Sequence, residues 1–366
     1  MRRLLAATLL LLAAGQARAE DIVIGAGFGL SGRFATYGED AKAGADLAVA
    51  ELNAKSGVLG RPLRIDYEDT GADRAKSVAV YRRFAAQPNV VASLSLSSVE
   101  FGAIDSVAAD VKLPTISVGS ATPVASFSPW SFRVSLIVSK AIGPVLRSLQ
   151  ARHAIKSVGI IYDSADTSSV GQANAVKAEA PKLGLTLKGV EVFSNGEQDF
   201  SAQLTDLLSD PPDLLYVGAT TNEAGLIISQ ARALGLKSLM IGGVGFNDPR
   251  VASLPGKAAE GVMTYFSFDV EDSRPLVQGF VTQYKAKHSG ATPPSLAALG
   301  YDAVLLLSDA ITRAGSTDRD AVRKALGETT GLQGVDGAFT YKGAGDNTEQ
   351  RPFVFELVSG QFRRMQ

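Results

Sequence analysis

The chain has 366 residues, with 36 basic and 37 acidic residues, two histidines and no cysteine. Without cysteine it has no disulfide, no thiol nucleophile and no thiolate ligand for a metal, and two histidines far apart in sequence do not form a zinc motif. The near-neutral charge argues against a nucleic-acid partner, which would need a clustered basic surface.

The first 19 residues have the order of a secretory signal peptide. Arg2 and Arg3 give a basic start, residues 4–14 form an apolar run too short to span a bilayer as a mature helix, and Ala17-Arg18-Ala19 is a small-x-small cleavage site. No cysteine follows the run, which excludes a lipid anchor. We therefore expect a periplasmic protein without a direct membrane anchor. The chain that remains after cleavage is long enough for two domains.

Strands and helices alternate through the first part of the mature chain. The pattern predicts strands over 22–26, 63–67, 90–95 and 113–118, and helices over 38–54, 72–87 and 99–110. Alternation of this kind predicts a parallel sheet that is covered by helices on both faces.

A second run of the same kind follows residues 132–134. It predicts strands over 158–162, 186–193, 214–218, 239–242 and 261–267, and helices over 168–183, 199–209 and 222–234. Helices over 274–287, 294–314 and 318–326 come next, and a pair of segments, 334–341 and 352–357, ends the chain. Two runs predict two lobes, and no stretch after the signal peptide reads as a membrane span.

Residues 30–70 form the most distinctive block, which reads LSGRFATYGEDAKAGADLAVAELNAKSGVLGRPLRIDYEDT. Its apolar positions predict a helix, and Lys55-Ser56-Gly57 ends that helix with a cation and a glycine able to take the left-handed cap. Together with Tyr301-Asp302-Ala303, the block resembles type I periplasmic solute-binding proteins, the leucine/isoleucine/valine-binding group.

The resemblance implies an α/β fold of two doubly wound lobes joined by a three-strand hinge. By matching segments, the chain crosses between lobes near 135–139, 265–269 and 349–352, which gives one lobe of residues 20–136 plus 267–350 and another of 137–266 plus 351–366. It also implies a non-enzymatic role: capture of a small molecule by lobe closure for the permease domains of an ABC importer. We expect a monomer without a cofactor or metal.

The loops that follow the predicted first, third and fourth strands share a chemistry. Gly27–Tyr37, Ser95–Ser98 and Gly119–Pro123 offer hydroxyls and backbone N–H groups, several at helix starts, which suit a carboxylate without a fixed counter-charge. The alternative is that Ser97, Ser98 and Thr122 only cap the following helices.

By resemblance, Ser97 or Ser98 and the segment 120–122 hold the ligand carboxylate, and Tyr37 covers the ligand side chain. The Ser-Ala-Thr triplet lies one place out of the commonest family register, so the hydroxyl that contacts ligand stays open. The expected ligand-binding residues are Tyr37, Ser97, Ser98, Ser120, Ala121, Thr122, Thr220, Val244 and Leu296.

The second lobe departs from the amino-acid binders of that family. Val170 and Thr220 stand where tyrosines are frequent, and Val244 stands where an acid pairs with the ligand ammonium. A buried ammonium without a partner is costly. Either another acid serves, with Glu100, Glu223, Asp248 and Asp302 as candidates by loop position, or the ligand lacks an ammonium. The resemblance favours a branched-chain or other aliphatic amino acid, and a bulkier aromatic or branched carboxylate without an amino group is the alternative.

Two other functional classes fit the sequence less well. Gly25-Ala26-Gly27-Phe28-Gly29 has GxGxG spacing rather than the GxGxxG of dinucleotide-binding oxidoreductases, and the acids at 68–69 come about twice as far along as such a site needs. An extracytoplasmic ligand-sensing domain would share the fold, but the chain ends at Gln366 without a membrane helix or signalling module.

The signal peptide can be tested by intact-mass measurement on the periplasmic fraction. The mature chain should begin at Glu20, since cleavage follows the small residue Ala19. Full-length chain recovered from the cytoplasm would contradict this prediction.

Overall fold

The computed structural model describes residues 20–122, 127–246, 248, 250–253 and 255–365. The predicted signal peptide and Pro123 lie outside the described residues, and so does the side chain of Val244.

The strands in the described part of the chain are β1 (Ile22–Phe28), β2 (Leu63–Asp69), β3 (Val90–Ser95), β4 (Thr115–Ser117), β5 (Ser131–Arg133), β6 (Ser157–Asp163), β7 (Thr186–Phe193), β8 (Leu214–Gly218), β9 (Leu239–Gly242), β10 (Met263–Phe266), β11 (Leu332–Gln333), β12 (Ala338–Phe339), β13 (Gly345–Asp346), β14 (Phe353–Val358) and β15 (Gln361–Arg364). The α-helices are α1 (Ala35–Ala54), α2 (Arg74–Ala85), α3 (Ser98–Val111), α4 (Val138–His153), α5 (Thr167–Glu179), α6 (Ser201–Ser209), α7 (Thr221–Ala233), α8 (Arg250–Ser253), α9 (Pro275–Lys287), α10 (Ser295–Ala314) and α11 (Arg319–Gly327).

The first lobe is built on a sheet in the order β13-β5-β4-β3-β1-β2, in which every pairing is parallel. One face packs against α1, α9 and α10, and the other against α2 and α3. Strand β1 is buried along its whole length, as expected for a central parallel strand.

The second lobe is built on a sheet in the order β15-β14-β10-β9-β8-β6-β7. Its pairings from β10 to β7 are parallel, while β14 and β15 are antiparallel additions at one side. Helices α4 and α5 cover one face, and α6 and α7 cover the other. The predicted α/β architecture of two doubly wound lobes is therefore confirmed, with a mixed second sheet.

The chain passes between the two sheets three times, after β5, after β10 and between β13 and β14. The predicted crossings near 135–139, 265–269 and 349–352 overlap these three connections, although residues 138–139 belong to α4 and 265–266 to β10. The residue boundaries assigned to the two domains stay a prediction.

Most predicted elements exist within a few residues of their expected bounds, but helix α4 was missed. Its buried positions, which include Val138, Ile142, Val145 and Leu149, follow the helical period. Pro144 lies inside the helix after a glycine, and this pair of helix-disfavouring residues obscured the pattern. The sequence also gave no sign of β15, and only Ala338–Phe339 of the segment 334–341 forms a strand.

Helix α10 lies in the core of the first lobe. The expectation that no stretch after the signal peptide could span a membrane was wrong by length and composition, because this one helix among the described residues meets both criteria. Most of it is nevertheless buried inside the protein. It packs so closely on α1 that a Cβ on Gly44 would lie 1.8 Å from the carbonyl oxygen of Ala297, and one on Gly300 would lie 2.1 Å from that of Ala41. The contact is backbone against backbone and admits no side chain at either glycine.

Gly44→Ala should lower the free energy of unfolding by about 1–3 kcal/mol or more, because α1 and α10 must separate to admit the methyl group. Gly102→Ala is the matched control, since Gly102 is an exposed position inside α3 with no atom near its missing Cβ. It should be neutral or stabilise by about 0.5–1 kcal/mol. Urea unfolding measures both, and equal stability of the two variants would contradict the close packing.

Candidate ligand-binding cleft

A cleft lies between the two sheets, at the carboxyl ends of their parallel strands. Its walls come from α1, the β3–α3 junction and α10 on one side, and from α5, the β8–α7 junction and the loop after β9 on the other. The empty volume is about 510 Å³ and is partly open to solvent. The lining includes Tyr37, Ser97, Ser98, Gly119, Asp166, Gln172, Thr220 and Leu296. We call this space the outer pocket.

Tyr37 connects the two walls of the cleft. Its hydroxyl oxygen accepts the backbone N–H of Thr221 at 3.0 Å and lies 3.0 Å from the Thr221 hydroxyl. Burial raises the pKa of Tyr37 to about 12, so the phenol stays neutral and remains a hydrogen-bond donor at ordinary pH.

Other contacts also join the two lobes across the cleft. The ion pairs are Arg33–Asp163 at 3.0 Å and Asp40–Arg250 at 2.7 Å, and the Thr122 hydroxyl donates weakly to the Thr167 carbonyl at 3.4 Å. The lobes are therefore in direct contact along the mouth of the cleft, which is a closed arrangement.

Ser97 is the N-cap of α3. Its side-chain oxygen accepts the N–H of Glu100 at 3.3 Å, and the Glu100 carboxylate accepts the N–H of Ser97 at 2.6 Å, which together form a capping box. The Glu100 carboxylate also accepts the hydroxyl proton of Thr70, and burial raises the pKa of Glu100. The capping interpretation thus describes the side chain of Ser97, and Glu100 is occupied in the same cap.

Ser98 begins α3 and is placed differently. Its hydroxyl oxygen accepts hydrogen bonds from Thr122 at 3.0 Å and Ser120 at 3.3 Å. The structure therefore brings together Ser98, Ser120 and Thr122, which the sequence predicted from separate loops. These hydroxyls sit beside the N-terminus of a helix, where the backbone dipoles favour a negative charge.

A fully buried arginine, Arg133 of β5, holds the 120–122 loop in place. Its guanidinium donates to the carbonyl oxygens of Ser120, at 3.2 Å, and Thr122, and it donates to the Asp346 carboxylate at 2.8 Å through Nε. The expectation of a site without a fixed counter-charge was incomplete, because this cation lies behind the hydroxyls and is balanced by Asp346. The sequence did not predict this role of Arg133, because β5 is only three residues long and has no recognisable strand pattern.

The remaining predicted residues divide between two spaces. Thr220 and Leu296 line the outer pocket, and the Thr220 hydroxyl donates to the Glu223 carboxylate. Ala121 lines a neighbouring pocket instead. The backbone of Val244 lies in a short 3₁₀ helix, Val244–Phe246, and its side chain is outside the described part of the structure.

The four acids considered for an ammonium group all have protein partners. Glu100 and Glu223 bond to the neighbouring Ser97 and Thr220, and Asp248 pairs with Arg250. Asp302 is buried in the first lobe, where it accepts the N–H groups of Val335 and Asp336 at 2.8 and 2.7 Å. None of the four lines the outer pocket.

The acid that does line it is Asp166, which the sequence analysis missed. One carboxylate oxygen caps α5 by accepting the N–H and hydroxyl of Ser169, both at 2.8 Å, and the other lies 3.6 Å from Arg33. Its position three residues before a serine, just after β6, is a sequence signal for an N-cap rather than for a ligand contact.

A second space, the inner pocket, adjoins the outer one. The two share Gly119 and Leu296 in their linings, and the inner pocket has a similar empty volume of about 520 Å³. It lies where the chain crosses between the lobes. Its other lining residues are Ala121, Ser135, Leu136, Val138, Gly243, Tyr265, Phe266, Ser267, Ser295, Leu299 and Asp336.

Among the described residues, no group of three histidines or acids is placed to hold a metal ion.

Comparison with known proteins places the chain in a family. Residues 21–361 match the model of a family described as periplasmic binding protein. The chain is 28% identical to Leu/Ile/Val-binding protein homolog 2 of Brucella abortus, over 96% of this chain and 94% of the relative. It is 27% identical to the Leu/Ile/Val-binding protein BraC3 of Rhizobium johnstonii, over 93% of each.

Solved structures agree with these relatives. The leucine binding protein LivK of Thermotoga maritima is 27% identical, with a TM-score of 0.87 over 94% of this chain and 98% of that one. The substrate-binding protein LivJ of Streptococcus pneumoniae, solved with isoleucine, is 25% identical, with a TM-score of 0.86 over the same shares. The chain therefore belongs to the periplasmic binding protein family and has the type I fold of the Leu/Ile/Val-binding group.

Proposed function

We propose that this protein is the solute-binding subunit of an ABC importer, which captures a small carboxylate in the periplasm and passes it to permease domains. The observation that carries the proposal is the cluster of Ser98, Ser120 and Thr122 hydroxyls at the N-terminus of α3, inside a cleft between two lobes. The names of its relatives and the isoleucine in one solved structure favour an aliphatic amino acid.

The carboxylate is bound by hydrogen-bond donors rather than by a direct ion pair. Ser98 and Thr122 supply hydroxyls, the start of α3 supplies backbone N–H groups, and Arg133 adds a positive charge behind the loop. Hydrogen bonds to a charged group contribute about 1.5–3 kcal/mol each. The aliphatic part of the ligand packs against Tyr37 and Leu296.

Capture is coupled to closure of the lobes. The ligand contacts both walls only when they meet, so binding shifts the population toward the closed form. The contacts Tyr37–Thr221 and Arg33–Asp163 join the lobes directly and form together with the ligand contacts. The protein carries out no covalent chemistry in this role.

A second candidate keeps the importer role but changes the ligand to an organic or aromatic carboxylate without an amino group. It is favoured by the outer pocket, where Asp166 is already engaged by Ser169 and Arg33.

Ser98→Ala and Thr122→Ala should each weaken ligand binding roughly ten-fold or more, because each removes a hydrogen bond to a carboxylate. Ser97→Ala is the comparison variant. Ser97 was also predicted to bind ligand, but its side chain caps α3, so the change should cost about 1 kcal/mol of stability and weaken binding less than the other two changes do. Calorimetry measures affinity, and thermal unfolding checks that all three variants fold. If Ser98→Ala and Thr122→Ala bind as tightly as wild type, these hydroxyls serve the helix and the loop alone.

Closure can be followed by solution X-ray scattering. A saturating amino acid that binds in calorimetry should reduce the radius of gyration, since the lobes approach each other. Tyr37→Phe should weaken the compaction because the phenylalanine cannot accept the Thr221 N–H. An unchanged scattering curve at saturation would remove support for the closing mechanism.

A further inference from the structure

An ammonium group buried in the cleft needs a negatively charged partner. Among the described residues, the outer pocket has no carboxylate that is free of other partners. Asp166 has Arg33 at 3.6 Å and its second oxygen is used by Ser169. Burying a cation without an anion costs several kcal/mol, so the charge balance of the inner pocket decides whether the cleft accepts an amino group.

Asp336 is the acid of the inner pocket. It is 4% exposed, and apolar side chains such as Ala121, Leu136 and Leu299 line the same space. Its Oδ2 accepts the Ser267 hydroxyl at 2.7 Å and the Gln350 amide at 3.2 Å. In the part of the chain that the structure describes, no Lys, Arg or His forms an ion pair with Asp336, and no donor reaches its Oδ1.

The carboxylate is held in a fixed position by segments that cross between the lobes. Ser267 directly follows β10, and Gln350 lies shortly before β14. The Gln350 amide also donates to the carbonyl of Val134, just after β5. Two of the three crossings therefore bond to this acid directly, and the first is linked to it through Gln350.

We propose that the inner pocket is the ammonium subsite of the cleft, and that Asp336 pairs with the amino group of an amino carboxylate. The ligand carboxylate lies at Ser98 and Thr122, and its amino group lies beyond Gly119 and Leu296, the residues shared by the two pockets. This inference rests on the proposed function and names the class of its ligand.

The assignment implies a pH dependence. Burial raises the pKa of Asp336 to about 6, opposed by the hydrogen bonds from Ser267 and Gln350 and by the charge of Arg274. The other ionisable neighbour is Asp302, which accepts the N–H of Asp336 and whose pKa burial raises well above its ordinary value. Arg274 itself donates to the carbonyls of Gly334 and Val335.

The sign follows from the raised pKa. Below about pH 6 the empty site holds a proton that an ammonium ligand must displace, so affinity should fall as the pH drops through 6 and be constant above about 7. At pH 6 binding should release roughly half a proton, and at pH 8 almost none.

The test uses calorimetry with matched pairs of ligands. Leucine, isoleucine, valine, γ-aminobutyrate and ε-aminocaproate are each compared with the carboxylate that lacks the amino group. At least one amino compound should bind wild type more tightly than its deaminated partner. Asp336→Asn should weaken that binding at least ten-fold and abolish proton release at pH 6, measured in two buffers with different ionisation heats, while leaving the deaminated partner unchanged.

Two control variants separate charge from structure. Ser267→Ala removes a hydrogen bond to Asp336 but keeps its charge, so it should weaken binding of the amino compound less than Asp336→Asn does. Asp166→Asn neutralises the acid of the outer pocket and should alter the preference for an amino group less than Asp336→Asn does. Thermal unfolding at pH 8 confirms that the variants fold. If Asp336→Asn does not fold, proton release by the wild-type protein still tests the proposal.

The possible failures are distinct. If deaminated acids bind as tightly as their amino partners, if wild type releases no proton at pH 6, or if Asp166→Asn alone removes the preference, the Asp336 assignment is wrong and carboxylate capture stands. If no carboxylate of either set binds, the proposed function itself is wrong, and the subsite assignment is wrong with it.

Discussion

The candidate site depends on the contacts that the buried guanidinium of Arg133 makes. It is fully buried, and it donates at once to two carbonyls of the 120–122 loop and to the Asp346 carboxylate. Breaking such a pair by removing one partner typically costs about 3–5 kcal/mol, because the other charge is left buried alone. The position of the Ser120–Thr122 loop depends on this arginine, while Ser98 is placed by the capped start of α3. Contacts within the protein therefore hold this loop in place.

Much of the fold was accessible from the sequence because it depends on local periodicity. Strands β3, β8 and β9 and most helices appear as predicted, since buried parallel strands and amphipathic helices leave strong patterns. The grouping of Ser98, Ser120 and Thr122 was also predictable, because the carboxyl ends of neighbouring parallel strands share one edge of a sheet. Helix α4 was missed because Pro144 breaks the pattern without breaking the helix.

The parts of the site that escaped prediction are partnerships over long sequence distances. Arg133 and Asp346 are more than 200 residues apart, and Asp336 is joined to Ser267 across 69 residues. Nothing near either residue in sequence marks such a pairing. Asp166 was visible only as a helix cap, and its place in the cleft depends on how the second lobe faces the first. Which charged groups neutralise each other depends on how the two lobes fold and meet. These pairs therefore cannot be predicted from the numbers of acidic and basic residues.

The backbone contact between α1 and α10 has a consequence for how ligand selectivity changes among related chains. Tyr37 and Leu296 project from two helices whose separation is fixed at Gly44 and Gly300. The backbone of that wall is therefore rigid, while the side chains on it can differ between related chains. Substitution at Leu296 reshapes the cleft by the volume of one side chain, whereas substitution at Tyr37 also changes the contact with Thr221 across the cleft. Ligand selectivity on this side of the cleft can therefore change in small steps, one side chain at a time.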